Sequence, residues 1–285
     1  MSFLSVPREK VADLHVHTVF SDGTFTPEEV VRTARQKDLF SIAICDHDSI
    51  DGIAPALEYA KGMPIEVIPG VELSALEGNK EIHILGYFIS WKEKWFQEIL
   101  KKVQDARVVR MARMIAKLKG FGVNLDMENV KGIAGQRGSL GRLHLAWAML
   151  EAKTVSSVNE AFNKYIGDKR PCYVEDAGFK TKEAIDLILK AKGVPVLAHP
   201  ETIKDDSLVR KIIDCGIKGI EVFHTDHRSS ASKKYKDMAI KHNLLITGGS
   251  DCHGMGKERV LMGTVKMPYA VVESLKDEAE RIRRG

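Results

Sequence analysis

The amino-acid sequence predicts an α/β fold in which parallel strands form a closed or nearly closed barrel. Short β-rich runs alternate with amphipathic helical patterns, which is typical of parallel strands joined by crossover helices. Seven runs fit a barrel better than an open sheet. They are residues 11–17, 41–46, 66–72, 81–89, 194–199, 217–224 and 244–250.

The first predicted helix carries the clearest start signal in the chain. Thr26 is expected to cap it, Pro27 suits its first turn, and Glu29 completes a capping box. The other helical patterns of the barrel are residues 51–61, 181–192, 207–215 and 229–242, with a last amphipathic helix at 270–285.

One long segment lacks any strand pattern. Residues 92–119, 141–151 and 156–166 are helical in pattern, and a glycine-rich loop is expected at 132–141. We therefore predict a helical insertion, or cap domain, at 92–180. The barrel domain is then built from residues 1–91 and 181–285.

Composition excludes several classes of protein. The 43 Lys and Arg residues against 39 Asp and Glu give a net charge of only +4, so no stable nucleic-acid complex is expected. No apolar run approaches the roughly 18 residues of a membrane span, and the N-terminus lacks a signal-peptide pattern. Four scattered cysteines without a C-x-x-C pair favour a reducing cytoplasm.

The first strand carries an alternating polar pattern. Asp13, His15 and His17 are separated by single apolar residues, so their side chains are expected on one face of the strand. Two imidazoles at i and i+2 can hold one metal ion, but such a pair more often occupies a partly exposed strand edge. The pair by itself leaves both interpretations open.

Ionisable residues also lie at or near the ends of the other predicted strands. They are Asp46, His47, Asp48, Glu72, His199, His224, Asp251 and His253, while His83 lies inside the otherwise apolar fourth run. Catalytic residues of α/β barrels collect at the carboxyl ends of the strands. Each residue alone has an ordinary structural explanation, but the whole set would be costly to bury without a cation. Mixed imidazole and carboxylate ligands favour Zn²⁺, Mn²⁺ or Fe²⁺ over Ca²⁺ or Mg²⁺, and their number favours two or three ions.

Several segments together resemble a known family. They are DLHVHTVFSDGTFTPEEVV, AICDHDSIDG, VIPGVELSA, EIHILGYF, VLAHP, GIEVFHTDH and GGSDCHG. In this order they resemble the polymerase and histidinol phosphatase (PHP) family, and the first motif and the insertion resemble its TrpH-like branch. The resemblance implies a distorted seven-stranded β/α barrel of PHP type with a metal cluster at the strand ends.

The resemblance also implies three groups of metal ligands. The first is His15, His17, Glu72 and Asp251; the second is Glu72 as a bridge with His83 and His199; the third is Asp22, His47 and His253. Many relatives have histidine where this chain has Asp22. The third site is therefore expected to be weaker or to take a different metal.

Clustered divalent ions can activate water and neutralise phosphoryl oxygens, so phosphoester hydrolysis by metal-activated hydroxide is the expected reaction. The sequence contains neither a G-x-x-x-x-G-K-[ST] loop nor a G-x-S-x-G elbow. Resemblance to the TrpH-like branch implies removal of the 3′ phosphate from nucleoside 3′,5′-bisphosphates, or 5′-to-3′ trimming of short RNA. The expected partner is a small nucleotide or a short 5′-phosphorylated oligonucleotide.

Residues outside the ligand groups are candidates for contact with the substrate. Arg142 and His144 lie in SLGRLHLA, which resembles a segment of TrpH-like relatives, and with Ser139 they are expected to bind a second phosphate. The alternative is the start of a surface helix. His224 and His227 are expected to contact the scissile phosphate or protonate the leaving oxygen.

Asp48 is the third candidate catalytic residue. It either orients His47 or caps the following turn.

Two other functions stay open. A histidinol phosphatase would require an acidic pocket for the amine of its substrate, whereas the insertion offers Arg137 and Arg142. A non-catalytic metal-binding PHP module would be expected to lack ligands, yet every expected ligand position holds a competent residue.

Overall fold

The computed structural model describes residues 9–78, 80–135, 139–175, 178–256 and 259–285. All seven predicted runs form strands, and the described residues add two strands of two residues each, β5 and β9. The strands are β1 Val11–Val16, β2 Ser41–Ile44, β3 Glu66–Glu77, β4 Lys80–Tyr87, β5 Phe179–Lys180, β6 Val194–Leu197, β7 Gly219–His224, β8 Leu245–Gly249 and β9 Met267–Pro268.

The helices follow the predicted pattern with one addition, α4, which precedes the glycine-rich loop. They are α1 Pro27–Gln36, α2 Ile53–Tyr59, α3 Lys94–Lys119, α4 Met127–Ala134, α5 Arg142–Glu151, α6 Val158–Ala161, α7 Thr181–Lys190, α8 Asp206–Asp214, α9 Ser229–Lys241 and α10 Tyr269–Arg284. A π-helical turn, Phe162–Ile166, continues α6.

The predicted start of α1 is confirmed in detail. The Thr26 hydroxyl accepts the Glu29 N–H at 3.2 Å, and the Thr26 N–H donates to the Glu29 carboxylate at 2.9 Å. Two backbone N–H groups of the first turn therefore find partners. The buried face of this helix, including Val30 and Val31, packs into the main hydrophobic core.

The strands form one curved sheet in the order β8-β7-β6-β4-β3-β2-β1-β9. Its two ends approach each other just after β8, where the His17 N–H donates to the Cys252 carbonyl at 2.9 Å and Val16 forms a parallel bridge with Cys252. The sheet is therefore a nearly closed barrel, as predicted.

The strands are not all parallel. The two-residue strand β9 is antiparallel to β1, and among the longer strands β4 is the exception. It pairs antiparallel with both β3 and β6. Only residues 78 and 79 separate β3 from β4, and Gly78 has a φ of +63°. A connection this short can join only antiparallel strands, since a parallel pair needs a crossover of a dozen or more residues.

The segment between β4 and β5 has a hydrophobic cluster of its own, which includes Met114, Leu118, Leu145 and Ile166. The clusters around the sheet are distinct from it. This packing fits a helical cap, and the domain boundaries at 92 and 180 stay a prediction. No helix in the described ranges has the length and apolar character needed to cross a membrane.

Candidate metal-binding active site

Glu72 lies at the centre of the site, on the long strand β3, and it is fully buried. Imidazole nitrogens approach both of its carboxylate oxygens. His15, His17 and His47 lie 3.1, 3.3 and 3.3 Å from Oε2, while His83 and His199 each lie 3.0 Å from Oε1. One carboxylate thus faces two sets of histidines from opposite sides, as a bridging ligand between two cations would.

The first group comprises His15, His17, Glu72 and Asp251, whose nitrogen and oxygen atoms all lie within 4.8 Å of one another. His15 lies on β1, His17 follows directly after that strand, and Asp251 follows β8. The His17 Nε2 atom lies 3.0 Å from Asp251 Oδ1. These are the residues that the resemblance implied for a first metal.

The second group lies on the other side of Glu72. His83 Nδ1 lies 3.3 Å from His199 Nε2, and both nitrogens face Glu72 Oε1. His199 has a φ of +25°, in the left-handed region that side chains other than glycine rarely adopt. Backbone strain at this position accompanies the placement of its ring beside Glu72.

The third group comprises His17, Asp22, His47 and His253. Asp22 Oδ1 lies 3.1 Å from His253 Nε2, and Asp22 Oδ2 lies 3.8 Å from His47 Nε2. The rings of His17 and His253 stack with their centroids 4.2 Å apart. Asp22 is therefore oriented into the cluster.

The polar atoms of these groups fit a cation better than they fit one another. Among the described residues, His17 Nε2, His47 Nδ1 and Asp22 Oδ1 are buried without a hydrogen-bond partner, although each lies within 3.0–3.6 Å of an opposite group. Lone pairs that converge on a common point produce this arrangement. Imidazole and carboxylate donors are the ligands that Zn²⁺, Mn²⁺ and Fe²⁺ accept.

Burial and the neighbouring carboxylates have opposite effects on the pKa values of the histidines. Burial alone lowers the pKa of His17, but Asp251 and Glu72 outweigh it and raise that pKa to about 9. Burial also lowers the pKa of His83, but Glu72 and Glu81 outweigh it and raise that pKa to about 10. Burial prevails at His47 and lowers its pKa to about 3.

Glu72 shows the converse effect. Burial alone raises the pKa of its carboxyl, but the surrounding imidazoles, His47 first, hold it well below its ordinary value. The cluster therefore contains a carboxylate ready to bind a cation, and a bound cation would displace the protons from the histidines.

Glu221 is a residue of the site that the sequence pattern did not assign. It lies fully buried on β7, where Oε1 faces His15 Nδ1 at 3.0 Å and Oε2 accepts the His199 N–H at 2.8 Å. Its sequence signal is a carboxylate inside the apolar run GIEVF, which is costly to bury unless it is paired.

His224 ends β7 beside the first group. Its Nδ1 accepts the Asp226 N–H at 3.1 Å, which leaves Nε2 as the protonated nitrogen, 3.5 Å from Asp251 Oδ2. Burial lowers the pKa of His224, and Asp251 outweighs this and raises it. The ring therefore presents an N–H at the edge of the site.

Two cavities, of about 230 and 280 Å³, adjoin the cluster. Both are lined by Glu81, His83, Arg142, His199 and Asp251. The first reaches under the cap to Arg107 and Arg110, while the second opens toward Asp168 and Asp226. The first cavity is therefore the more basic one and the second the more acidic one, and Arg142 lines both.

Arg142 is the predicted phosphate ligand that lines these cavities. Its guanidinium donates to Glu81 at 2.9 Å and to Asp168 at 2.7 Å, and it lies 5.4 Å from the centre of the Tyr173 ring. Arg137, the other arginine expected in the insertion loop, lies outside the described residues.

Ser139 and His144 are placed differently from the prediction, since neither lines the two cavities. His144 Nδ1 accepts the Gly141 N–H at 3.1 Å and so caps α5. Ser139 is buried, and its N–H donates to the Phe20 carbonyl at 3.0 Å. The structure thus favours structural roles for both, and their predicted phosphate contact is not supported.

Asp48 also departs from its predicted catalytic role. Its carboxylate is fully buried and accepts from the Arg107 guanidinium, at 2.8 Å to Nε, and from the Ser74 N–H at 3.0 Å. Arg107 Nη1 in turn donates to the Leu140 carbonyl at 3.1 Å. Asp48 therefore anchors the cap to the loop that carries His47, and the cavity lining does not include it.

His227 is held by main-chain groups on both ring nitrogens. Its Nδ1–H donates to the Val222 carbonyl at 2.8 Å, and its Nε2 accepts the Glu201 N–H at 3.5 Å. No ring nitrogen is left in this arrangement for a leaving group. The predicted catalytic role is therefore unsupported for His227, whereas the N–H of His224 suits it.

Asp13 lies on β1 with His15, but its carboxylate binds backbone groups of the loop after β8. It accepts the Ser250 N–H and the Gly263 N–H, each at 2.8 Å. This loop carries Asp251 and His253, so Asp13 fixes two proposed ligands through the backbone.

Comparison with known proteins places the chain among phosphoesterases. A family model described as "PHP domain" matches residues 13–163. The chain is 31% identical over 250 residues to the 5′-3′ exoribonuclease Rnm of Escherichia coli, with 85% of each chain covered. It is 30% identical to the 3′,5′-nucleoside bisphosphate phosphatase of Chromobacterium violaceum, over 86% of this chain and 88% of the relative.

A third relative is named for its action on a cyclic phosphodiester. The chain is 28% identical to the phosphoribosyl 1,2-cyclic phosphate 1,2-diphosphodiesterase of Eggerthella lenta, over 86% of this chain and 94% of the relative. Among solved structures, a protein from Bifidobacterium adolescentis described as a metal-dependent phosphoesterase superposes with a TM-score of 0.86 at 29% identity. The superposition covers 95% of this chain and 97% of that one.

Proposed function

The chain belongs to the PHP domain family, and from that premise we propose that it is a metal-dependent phosphoesterase that hydrolyses nucleotide phosphates. The proposed substrates are nucleoside 3′,5′-bisphosphates, from which the 3′ phosphate is removed, and short 5′-phosphorylated oligoribonucleotides. Names of relatives that cover 85% or more of both chains support these substrates.

The observation that carries the proposal is the convergence of five histidines on Glu72 beside an arginine-lined cavity. A carboxylate shared between two histidine sets suits two cations held close together. The cavity places Arg107, Arg110 and Arg142 on its cap side. Metals for the reacting phosphate and arginines for a second phosphate make a site for a substrate with two phosphates.

We assign the ligands as three sets around two or three divalent ions. His15, His17, Glu72 and Asp251 hold the first; Glu72, His83 and His199 hold the second; Asp22, His47 and His253 hold the third. Mn²⁺, Zn²⁺ and Fe²⁺ fit these donors. When bound, such ions supply an activated water and neutralise charge on the phosphoryl oxygens.

The chain's own residues then bind and orient the substrate. Arg142 can present two N–H groups to a phosphate in the plane of its guanidinium. His224 holds its proton on Nε2 near Asp251, so it is placed to protonate the leaving oxygen. Arg107 anchors the cap beside the site through Asp48 and the Leu140 carbonyl.

Alternative functions have weaker support. Histidinol phosphate carries a cationic amine, and the cap side of the cavity presents three arginines to it. A non-catalytic module would not need the buried, unpaired ligand atoms of His17 and His47. A cyclic phosphodiester is the second candidate substrate, because the Eggerthella lenta relative is matched over 94% of its length.

The setting is proposed to be cytoplasmic. All four cysteines are unpaired, as expected in a reducing compartment.

The experiment that tests the function is phosphate release by the purified protein supplied with Mn²⁺. Adenosine 3′,5′-bisphosphate, a short 5′-phosphorylated RNA, a ribose 1,2-cyclic phosphate and histidinol phosphate form the substrate panel, with an EDTA-treated sample as control. We expect turnover of adenosine 3′,5′-bisphosphate that EDTA abolishes. Absence of turnover on every nucleotide, with metal demonstrably bound, would overturn the proposal.

A further inference from the structure

Glu81 contacts both the proposed second metal set and the cap. Its Oε1 faces His83 Nε2 at 3.3 Å, and its Oε2 accepts from Arg142 Nη2 at 2.9 Å. The opposite nitrogen of His83, Nδ1, lies 3.0 Å from Glu72 Oε1. One carboxylate therefore joins a proposed metal ligand to a proposed phosphate ligand.

The cap holds its side of this junction firmly. Arg142 also pairs with Asp168 at 2.7 Å and lies over the rings of Phe162 and Tyr173. Arg110, from α3, approaches the same Glu81 oxygen at 3.6 Å. The Glu81 and Arg142 side chains are only 12% and 16% exposed, so solvent screens their interaction weakly.

We propose that Glu81 is a positioning residue that couples the binding of a divalent cation at His83 to the binding of a substrate phosphate at Arg142. The inference rests on the proposed function, since it takes His83 as a metal ligand. Histidines that bind metals commonly donate their other N–H to a carboxylate, which fixes the orientation and tautomer of the ring. Donation from Nε2 to Glu81 leaves the Nδ1 lone pair of His83 directed toward Glu72 and His199.

The coupling arises because Arg142 and His83 share one carboxylate. A phosphate that draws the Arg142 guanidinium away leaves Arg110, at 3.6 Å, as the cation beside Glu81 Oε2. More of the negative charge of Glu81 then acts on His83, which strengthens His83 as a ligand. The effect must be reciprocal, since a coupling free energy acts equally on both binding events.

A double-mutant cycle tests the coupling without substrate. Mn²⁺ affinity is measured by calorimetric titration for the wild type, Glu81→Gln, Arg142→Gln and the double variant. We expect Glu81→Gln to weaken Mn²⁺ binding by about 10- to 100-fold. Arg142→Gln should tighten it about three- to tenfold when Glu81 is present, and by clearly less in the Glu81→Gln background.

If Arg142→Gln acted only by removing a positive charge near the metal, it would change Mn²⁺ affinity by the same factor with and without Glu81. If Arg142→Gln changes the affinity equally in both backgrounds, or not at all, the coupling through Glu81 is refuted. Glu81→Asp provides a second background, because its shorter side chain cannot span both partners; it should also reduce the effect of Arg142→Gln.

A distant ion pair serves as the matched control. Lys276 pairs with Glu66 at 2.7 Å, at the first residue of β3 and away from Glu72, so Lys276→Gln should leave Mn²⁺ affinity unchanged. Phosphate release from adenosine 3′,5′-bisphosphate by the wild type separates the two claims. A coupled cycle without turnover contradicts the proposed function alone, whereas turnover with an additive cycle overturns the coupling alone.

Discussion

Glu221 Oε1 lies 3.0 Å from His15 Nδ1, and both side chains are completely buried. The second Glu221 oxygen accepts the backbone N–H of His199. A single carboxylate on β7 thus orients one imidazole of the first ligand set and the backbone of a histidine in the second. The spacing of the two sets depends on a residue that belongs to neither.

We predict that Glu221→Gln weakens Mn²⁺ binding by about 10- to 100-fold, because the amide orients His15 less strongly than the carboxylate does. Metal titration of the purified variant measures the effect. Tyr87→Phe is the control, since it removes a buried hydroxyl that donates to the neighbouring Leu14 carbonyl at 3.0 Å but leaves His15 and His199 untouched. Equal affinities in wild type and Glu221→Gln would contradict the positioning role.

Removal of metal should lower thermal stability. Ligands from β1, β3, β4 and the segments after β2, β6 and β8 converge on Glu72, so a bound cation joins distant parts of the chain. A ligand at 100 times its Kd stabilises the folded state by about 2.7 kcal/mol, which corresponds to a Tm shift of roughly 5–10 °C. Melting curves with Mn²⁺ and with EDTA measure the shift, and coincident curves would count against a bound cation.

Asp22→Ala should remove one bound ion while the others remain. Asp22 faces His47 and His253 but contributes nothing to the sets around His15 or His83. Metal analysis after dialysis gives the stoichiometry of wild type and variant. An unchanged stoichiometry would exclude Asp22 from the ligands.

Arg142→Ala should raise the KM for adenosine 3′,5′-bisphosphate by about 10- to 100-fold, because hydrogen bonds to a charged group are worth about 1.5–3 kcal/mol. A substrate with a single phosphate, p-nitrophenyl phosphate, should be affected much less. Arg113→Ala is the control, because Arg113 is an exposed arginine of α3 that does not line the cavity. A KM that rises equally for both substrates would show that Arg142 does not bind the second phosphate.

Much of the fold could be predicted because its signals are local. The capping box of Thr26 and Glu29 depends on residues three apart, and the seven strand patterns depend on runs of apolar residues. The antiparallel direction of β4 was missed, since the strand patterns carry no direction. It follows instead from the two-residue link after Glu77.

The candidate site likewise has one part that the sequence reveals and another that only the structure reveals. Histidines and acids at strand ends are visible in the sequence, because the ends of barrel strands meet in space. The contacts of the residues that orient them are visible only in three dimensions. Glu81 reads as an ordinary strand residue, and the carboxylate of Glu221 inside an apolar run does not reveal its partners. Asp48 could not be linked to Arg107, 59 residues away, without the fold.

The proposed hydrolysis of nucleotide phosphates depends on Glu72 as a bridge between metal ions. The decisive measurement is Mn²⁺-dependent phosphate release from adenosine 3′,5′-bisphosphate by wild type and by Glu72→Gln. We predict a loss of activity greater than the roughly 100-fold typical of residues that only orient a ligand, with Mn²⁺ binding lost as well. Wild-type turnover in Glu72→Gln would contradict the account.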